Sequence, residues 1–252
     1  MSSTAEAHLA AALREARGVV VLTGAGVSAE SKIPTFRDAM SGLWKDFDPM
    51  KLATPEAFDA DPAMVTKWYD WRRLGCLAAE PHPGHLALAA LERRITSRGG
   101  AFTILTQNVD GLHQRAGVAN VIELHGSIMR WRCIATGMEC EPEPVAFETF
   151  PPRSPFHAGD NSMLRPSVVW FGEMLPERAI EAAADAMETC DLFLSVGTSS
   201  VVYPAAGYID LAMRVGARTA EVNPEATPYS DRVTWSIRGK AGDVLPRVMD
   251  LL

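Results

Sequence analysis

Short runs dominated by apolar residues recur along the chain at 19–22, 102–105, 121–124 and 191–196, and 218–222 reads as a further strand. They lack polar alternation, as strands buried on both faces of a parallel sheet should. Residues 166–170 also read as a strand, and 235–238 as an edge strand. Helices are predicted over 1–17, 84–98, 177–188, 205–215 and 242–252. In the second of these, Leu86, Leu88, Leu91 and Ile95 fall on or near one face together with His85. Strand–helix alternation of this kind predicts an α/β fold, a Rossmann-like, doubly wound, mostly parallel sheet. Insertions follow its first and middle strands, and strand order is not readable from the pattern. Residues 38–83 read as loop followed by helix. Residues 129–163 are proline-dense and poor in periodicity, which marks an inserted module or a long loop.

The first apolar run, Val19-Val20-Val21-Leu22, leads into Thr23-Gly24-Ala25-Gly26, and Ser28-Ala29-Glu30-Ser31 reads as the first turn of a helix. Strand, glycine turn and helix N-terminus together can hold a pyrophosphate through close backbone approach and unpaired N–H groups. Gly24-Ala25-Gly26-Val27-Ser28-Ala29 satisfies G-x-G-x-x-A, a pattern that plain connectors also satisfy. In a dinucleotide dehydrogenase a second strand with an acidic end would follow. Here Ile33-Pro34-Thr35-Phe36-Arg37 breaks the helix instead.

The stretch TGAGVSAESKIPTFRD resembles the first signature of the sirtuins, the NAD-dependent protein-lysine deacylases. Four later stretches agree in order: Thr106-Gln107-Asn108-Val109-Asp110-Gly111-Leu112-His113, Glu123-Leu124-His125-Gly126, Val168-Val169-Trp170-Phe171-Gly172-Glu173 and Gly197-Thr198-Ser199. The resemblance spans nearly the whole chain. It implies one catalytic domain over 1–252: a Rossmann-like part at about 1–38, 84–128 and 163–252, and a smaller domain built from insertions at about 39–83 and 129–162. It also implies NAD as cofactor, with free lysine, nicotinamide and O-acyl-ADP-ribose as products.

Several residue types gain roles from the resemblance that spacing alone does not give. His125 follows a strand, where a histidine serves structure as readily as catalysis; the LHG context makes it the base that activates a ribose hydroxyl. His113 matches a family position and is read as structural. Gln107, Asn108 and Asp110 suit a turn; by resemblance they hold nicotinamide and its ribose, and Asn108 is read as catalytic too. An amide-recognising pair matches a carboxamide, which offers both donor and acceptor. Gly24, Ala25, Gly26, Ser28, Phe36 and Arg37 are expected on the cofactor, Phe36 as a water shield. Gly197, Thr198, Ser199, Asn223, Glu225 and Ala241 are expected on its adenosine side.

For substrate, Val169, Phe171 and Gly172 resemble the family's peptide-binding strand, with Val201 in the loop opposite. An acyl-lysine protein substrate would then add as an extended strand. Tyr69 and Arg72 lie three apart, so on a helix they share a face. A Tyr-x-x-Arg pair here resembles the class III sirtuins, the bacterial and mitochondrial desuccinylase group, where the pair binds a succinyl or malonyl carboxylate. Arg73 can replace Arg72 if the register differs. A packed tyrosine beside a solvated arginine is the alternative.

Composition narrows the rest. A net charge of −7 over 252 residues disfavours nucleic acid as a partner. No run of 18 apolar residues exists to span a membrane. The N-terminal segment reads as an amphipathic helix rather than a signal peptide, and four cysteines without a framework spacing suit a reducing cytoplasm. A cytoplasmic monomer is expected. Most sirtuins hold a structural zinc in two C-x-x-C pairs. Residues 129–163 carry only Cys133 and Cys140, with six residues between them. No metal is therefore expected, though a mixed site of Cys133, Cys140, His157 and Asp160 is conceivable. Two rival activities share the NAD site: protein mono-ADP-ribosylation, and binding of NAD or ADP-ribose without turnover.

Overall fold

The structure, a computed structural model, describes residues 4–33, 52–159 and 162–252. Phe36, Arg37 and Asp160 lie outside the described residues. Six parallel strands form the main sheet: β1 (Gly18–Thr23), β2 (Ala101–Thr106), β3 (Val121–Glu123), β7 (Leu192–Val196), β8 (Arg218–Asn223) and β9 (Trp235–Arg238). Their spatial order is β3-β2-β1-β7-β8-β9. The order reverses beside β1, which pairs β2 on one side and β7 on the other. That reversal is the topological switch point, where α/β sheets bind ligands.

The sheet is covered on both faces, which explains its continuous apolar runs. Val19 and Val21 face one way, onto α1 (Thr4–Glu15), α5 (Pro83–Thr96) and α9 (Ala241–Asp250), through Leu9, Leu13, Leu88, Leu91 and Val244. Val20 and Leu22 face the other way, onto α7 (Glu177–Glu188) and α8 (Gly207–Arg214), through Ala183, Met187 and Ile209. Helix α5 starts where Pro83 supplies a first-turn residue needing no N–H partner and His82 accepts from Gly84 N.

A second, antiparallel sheet has the order β5-β4-β6, from β4 (Gly126–Cys133), β5 (Glu139–Cys140) and β6 (Leu164–Val168). It packs on α4 (Pro62–Ala78), preceded by the short α3 (Pro55–Ala60). Val65, Trp68 and Tyr69 of α4 meet Ile128, Trp131, Leu164 and Val168 there. Two expectations change. The segment after residue 126 opens as an eight-residue strand. The strand expected over 166–170 is β6, part of this smaller sheet rather than of the parallel one. Residues 126–128 and 164–168 thus lie in the antiparallel sheet. Among the described residues, no helix is long and apolar enough to cross a membrane.

Candidate active site

β1 and β2 end side by side, where the hydroxyls of Thr23 and Thr106 meet at 2.8 Å. Thr106 Oγ1 accepts from Asn108 N at 3.0 Å, which turns the chain out of the strand. Beyond it, three buried side chains join in a row. Asn108 Nδ2 donates to Ser28 Oγ at 3.1 Å, and Ser28 Oγ donates to Asp110 Oδ2 at 2.7 Å. Asp110 Oδ1 accepts from Leu112 N at 2.9 Å. Burial raises the Asp110 pKa, against the bonds from Leu112 and Ser28 and the nearby charge of Arg72. The cluster offers an amide and a carboxyl at a sheet edge, already oriented by their own bonds.

The glycine turn differs in detail from its sequence reading. α2 (Ala25–Ser28) begins at Ala25, and one 3₁₀ turn (Ala29–Ser31) follows, ended by Lys32 at φ 63°. A Cβ on Gly24 would lie 2.7 Å from Thr198 Cβ, and one on Gly26 would lie 2.6 Å from the Gly197 carbonyl oxygen. Both glycines are therefore required by the approach of the neighbouring loop, independently of any ligand. Gly26 N donates to that same carbonyl at 2.8 Å. Ala25 and Gly26 are exposed at the rim.

His125 sits between β3 and β4. Its Nδ1 lies 3.1 Å from the Gln107 carbonyl, an acceptor only, so Nδ1 carries the proton and Nε2 presents a lone pair. Gly126 adopts φ 73°, and a Cβ there would collide with the Ser167 carbonyl, so glycine is what lets the chain turn after His125. Burial lowers the His125 pKa, opposed by the Gln107 contact. His113 is buried below, with Nε2 2.9 Å from Thr23 Oγ1.

The β7 end delivers Gly197, Thr198 and Ser199. Thr198 Oγ1 accepts from Gln107 Nε2 at 3.0 Å and from Ser200 N at 3.2 Å. Asn223, at the end of β8, donates from Nδ2 to the Thr198 carbonyl at 3.3 Å. Glu225 is exposed, and its carbonyl accepts from Arg238 Nη1 at 2.9 Å. Ala241 is buried at the start of α9, against Gly84, and the next residue's N–H donates to Glu30 Oε2 at 2.9 Å. The glycine turn, the β2 end, His125 and the β7–β8 ends thus share one edge, and Ala241 lies at its side.

Helix α4 separates two adjacent arginines. Arg73 is 1% exposed and binds Asp70 Oδ1 through Nε and Nη2 at 2.9 and 2.7 Å. It also donates to the carbonyls of Glu143 and Val145. Arg73 is occupied by the fold, and its exchange with Arg72 is excluded. Arg72 is half-buried over the rings of Trp68 and Tyr69, at 4.8 and 5.7 Å. Tyr69 is 2% exposed, beside Trp170.

Residues 169–173 leave the β6 strand and turn. Glu173 N donates to the Trp170 carbonyl at 3.0 Å, and Gly172 adopts φ 89°. The N–H groups of Val169 and Phe171 are engaged by the carbonyls of His125 and Ala53, both at 2.9 Å. Phe171 and Val201 are exposed. An extended strand over 169–173 is therefore replaced by an extended start and a turn.

Among the described residues, no three His, Cys, Asp or Glu side chains gather to hold a metal ion. Cys133, at the end of β4, is one of the two cysteines of residues 129–163. Hydrogen bonds from the Ser154 and Thr136 side chains, then from the backbone of Thr136 and Ala135, outweigh burial and draw its pKa down to about 7.

The Sir2 family profile matches residues 24–204. A protein of Methylococcus capsulatus named NAD-dependent protein deacylase is 47% identical over 97% of this chain and 96% of its own length. The chain belongs to the Sir2 family, the sirtuins. A Sir2 homologue solved with NAD is 42% identical, with a TM-score of 0.89 over 99% of this chain and 94% of its own. Sir2 solved with a p53 peptide and NAD+ is 30% identical, with a TM-score of 0.80 over 96% of each chain.

Three features of this sirtuin escape sequence reasoning. Ser200 adopts φ 55°, and its Oγ is buried without a hydrogen-bond partner. Glu221 is a buried hub that accepts from Thr227, Ser230, Ser236 and Arg238, and so fixes the loop after Asn223. Trp170 lies inside a quoted motif, yet nothing in its spacing marks the Arg165 guanidinium stacked 3.3 Å from its ring centroid. Only the third carried a signal at all, as a tryptophan beside the expected peptide contacts.

Proposed function

We propose that this sirtuin is an NAD-dependent protein-lysine deacylase that removes acetyl groups and, preferentially, acyl groups ending in a carboxylate. The observation that carries the reading is the buried Ser28–Asn108–Asp110 row beside His125, at the switch point of a parallel sheet. NAD suits this edge. The amide and carboxyl of Asn108 and Asp110 complement a carboxamide, and the orphaned Ser200 Oγ gives the dinucleotide a polar partner in the β7 loop. Gln107, Thr198, Ser199 and Asn223 add further polar groups along the same edge.

Bound NAD supplies an electrophilic ribose carbon with nicotinamide as leaving group, and ADP-ribose takes the acyl group. Asn108 and Asp110 would orient the leaving carboxamide, with Ser28 holding both in place. His125 Nε2 would accept a proton from a ribose hydroxyl, the imidazole being aligned by Gln107 through Nδ1. Its lowered pKa keeps it in the basic form at neutral pH. Water exclusion by Phe36 and ribose or phosphate contact by Arg37 remain part of this reading.

A substrate peptide would lie along 169–172 and Val201. With the Val169 and Phe171 N–H groups engaged, pairing there runs through carbonyls. Tyr69 and Arg72 would meet the acyl carboxylate: a guanidinium half-buried among aromatic rings keeps its charge and loses competing water. The formal charge of −7 supports protein over nucleic acid as substrate. The reading takes the protein as a cytoplasmic monomer, with the parallel sheet and the smaller α4-backed sheet as two parts of one catalytic unit.

The test is kcat/KM on matched acetyl-, succinyl- and malonyl-lysine peptides with NAD. Succinyl and malonyl peptides are expected to be preferred, and activity to be absent without NAD. Equal rates on all three peptides would refute the carboxylate preference; turnover without NAD would refute the enzyme class.

A further inference from the structure

An open cleft of about 570 Å³ lies beside the loop that joins β7 to α8. Gly207, Asp210, Met213 and Arg214 of α8 line it, with Tyr203 from the loop and Arg232 from the β8–β9 connection. Residues 207, 210 and 214 are spaced to share one helix face, so the cleft is built on a rigid element. None of the six serves the cofactor, the base or the acyl group in the reading given above.

The one carboxylate among these six is already engaged. Asp210 Oδ1 accepts from Arg232 Nη2 at 2.7 Å, and Oδ2 accepts from the Tyr229 hydroxyl at 2.6 Å. With that proton committed, the Tyr229 oxygen accepts from the Tyr203 hydroxyl at 3.2 Å. Tyr229 is 3% exposed, and the Arg232 guanidinium lies 4.9 Å from its ring centroid. Arg232 is therefore fixed in direction while about half of its side chain faces solvent. A guanidinium carries five N–H groups, more than these contacts use. Arg214 is exposed and forms no ion pair among the described residues. The bonds from Tyr229 and Arg232 lower the Asp210 pKa, and the Arg214 charge adds to them.

Two guanidiniums against one carboxylate leave the cleft positive, in a chain whose formal charge is −7. A local field opposite in sign to the whole attracts an anionic group that the rest of the surface repels. Val201 and Tyr203 are both exposed and stand two residues apart in one loop, within about 7 Å along the chain. The cleft thus adjoins the place where the substrate peptide is read to pass.

We propose that this cleft is a second specificity subsite, in which Arg214 and Arg232 bind an aspartate or glutamate side chain of the substrate protein a few residues from the acyl-lysine. This rests on the peptide path through Val201 and is independent of the acyl-carboxylate receptor at Tyr69 and Arg72. An extended peptide advances about 3.3 Å per residue, so its flanking side chains leave the lysine channel within a few positions. Tyr203 and Met213 face the apolar stem of such a side chain, and the guanidiniums its carboxylate.

The experiment uses acetyl-lysine peptides, which carry no acyl carboxylate, at saturating NAD. Glutamate, glutamine or lysine is placed in turn at each of the four positions on either side of the acetyl-lysine. The ratio of kcat/KM values is read for wild type, Arg214→Glu and Arg232→Gln. Wild type should favour glutamate over glutamine about 2- to 10-fold at one or two positions on one side, and about 1 M salt should erase the difference. Arg214→Glu should favour lysine at those same positions, with the glutamine peptide turned over as by wild type. Equal rates for the three side chains at every position overturn the subsite and spare the deacylase reading. A glutamate preference unchanged in both variants overturns the role of the two arginines. No turnover of any peptide overturns the deacylase reading, and this proposal with it.

Discussion

Replacing Arg73 with alanine strands a carboxylate. Asp70 is 2% exposed, and after the substitution, among the described residues, Phe147 N alone, at 3.1 Å from Oδ2, would still donate to it. The carbonyls of Glu143 and Val145 also lose donors, but both residues are exposed and water can replace the guanidinium there. The cost is therefore set by the uncompensated buried charge, about 3–5 kcal/mol. Against a typical total stability of about 5–15 kcal/mol, that brings the protein close to unfolding. Arg72, one residue on, lies half-buried over aromatic rings, and Arg72→Ala should cost about 0.5–1 kcal/mol of cation–π contact. Urea unfolding followed by tryptophan fluorescence separates the two. Replacing both members of the buried pair, Asp70→Leu with Arg73→Met, should recover most of the loss, because no charge is left unpaired. Arg73→Ala within about 1 kcal/mol of wild type, the range of an exposed ion pair, would refute the reasoning. So would equal destabilisation by the two alanine variants.

Other outcomes follow from the same geometry. His125→Ala should lower kcat/KM about 10²- to 10⁴-fold, with the calorimetric Kd for NAD kept in the wild-type range; matched loss of binding would remove its role as base. Because the base must be unprotonated and burial lowers its pKa, kcat/KM should rise with pH along an acid limb whose midpoint lies below the ordinary histidine value of 6.5; a midpoint above 6.5 contradicts the assignment. Burial holds His85 down to about 2 and His113 to about 4 in the folded chain. Between those values and 6.5 the unfolded chain binds the extra protons. The stability these groups give is thus present above 6.5 and lost as pH falls, at up to about 1.4 kcal/mol per pH unit for each. Urea midpoints that stay constant from neutral to mildly acidic pH would sink this. With no metal expected from the cysteine spacing, chelator treatment should leave Tm unchanged, and one bound zinc per chain by elemental analysis would contradict that expectation.

The parallel strands are legible in the sequence because both faces of the sheet are covered. Every residue of β1 and β7 is buried, so the apolar runs need no periodicity to be seen. Their order is not legible, since it depends on pairings such as Val19 with Leu192 that no local signal encodes. β4 is hidden for a sharper reason. Its register shifts between Ser127 and Trp131, and the irregularity breaks the period of two just where it would have shown. Pro166 argues against a strand, yet β6 is an edge strand and tolerates it opposite Trp131.

The site is legible through its motifs, and less so through its physics. The polar residues at 107, 108 and 110 announce an edge cluster, but the row through Ser28 joins residues 80 positions apart. The glycines at 24 and 26 suggest room for an anion, whereas the loop at Gly197 and Thr198 already requires them. Tyr69 and Arg72 share a face by spacing, and so do Asp70 and Arg73. Only the packing of residues 143–147 against α4 decides which arginine is buried.

The central claim is acyl transfer to NAD-derived ADP-ribose, and product analysis tests it most directly. The protein is incubated with an acyl-lysine peptide and NAD, and the mixture is resolved by mass spectrometry. The account predicts nicotinamide, O-acyl-ADP-ribose and free-lysine peptide in equal amounts, and no reaction without NAD. ADP-ribose attached to protein while the peptide stays acylated, or deacylation that yields free carboxylate without NAD, would contradict it.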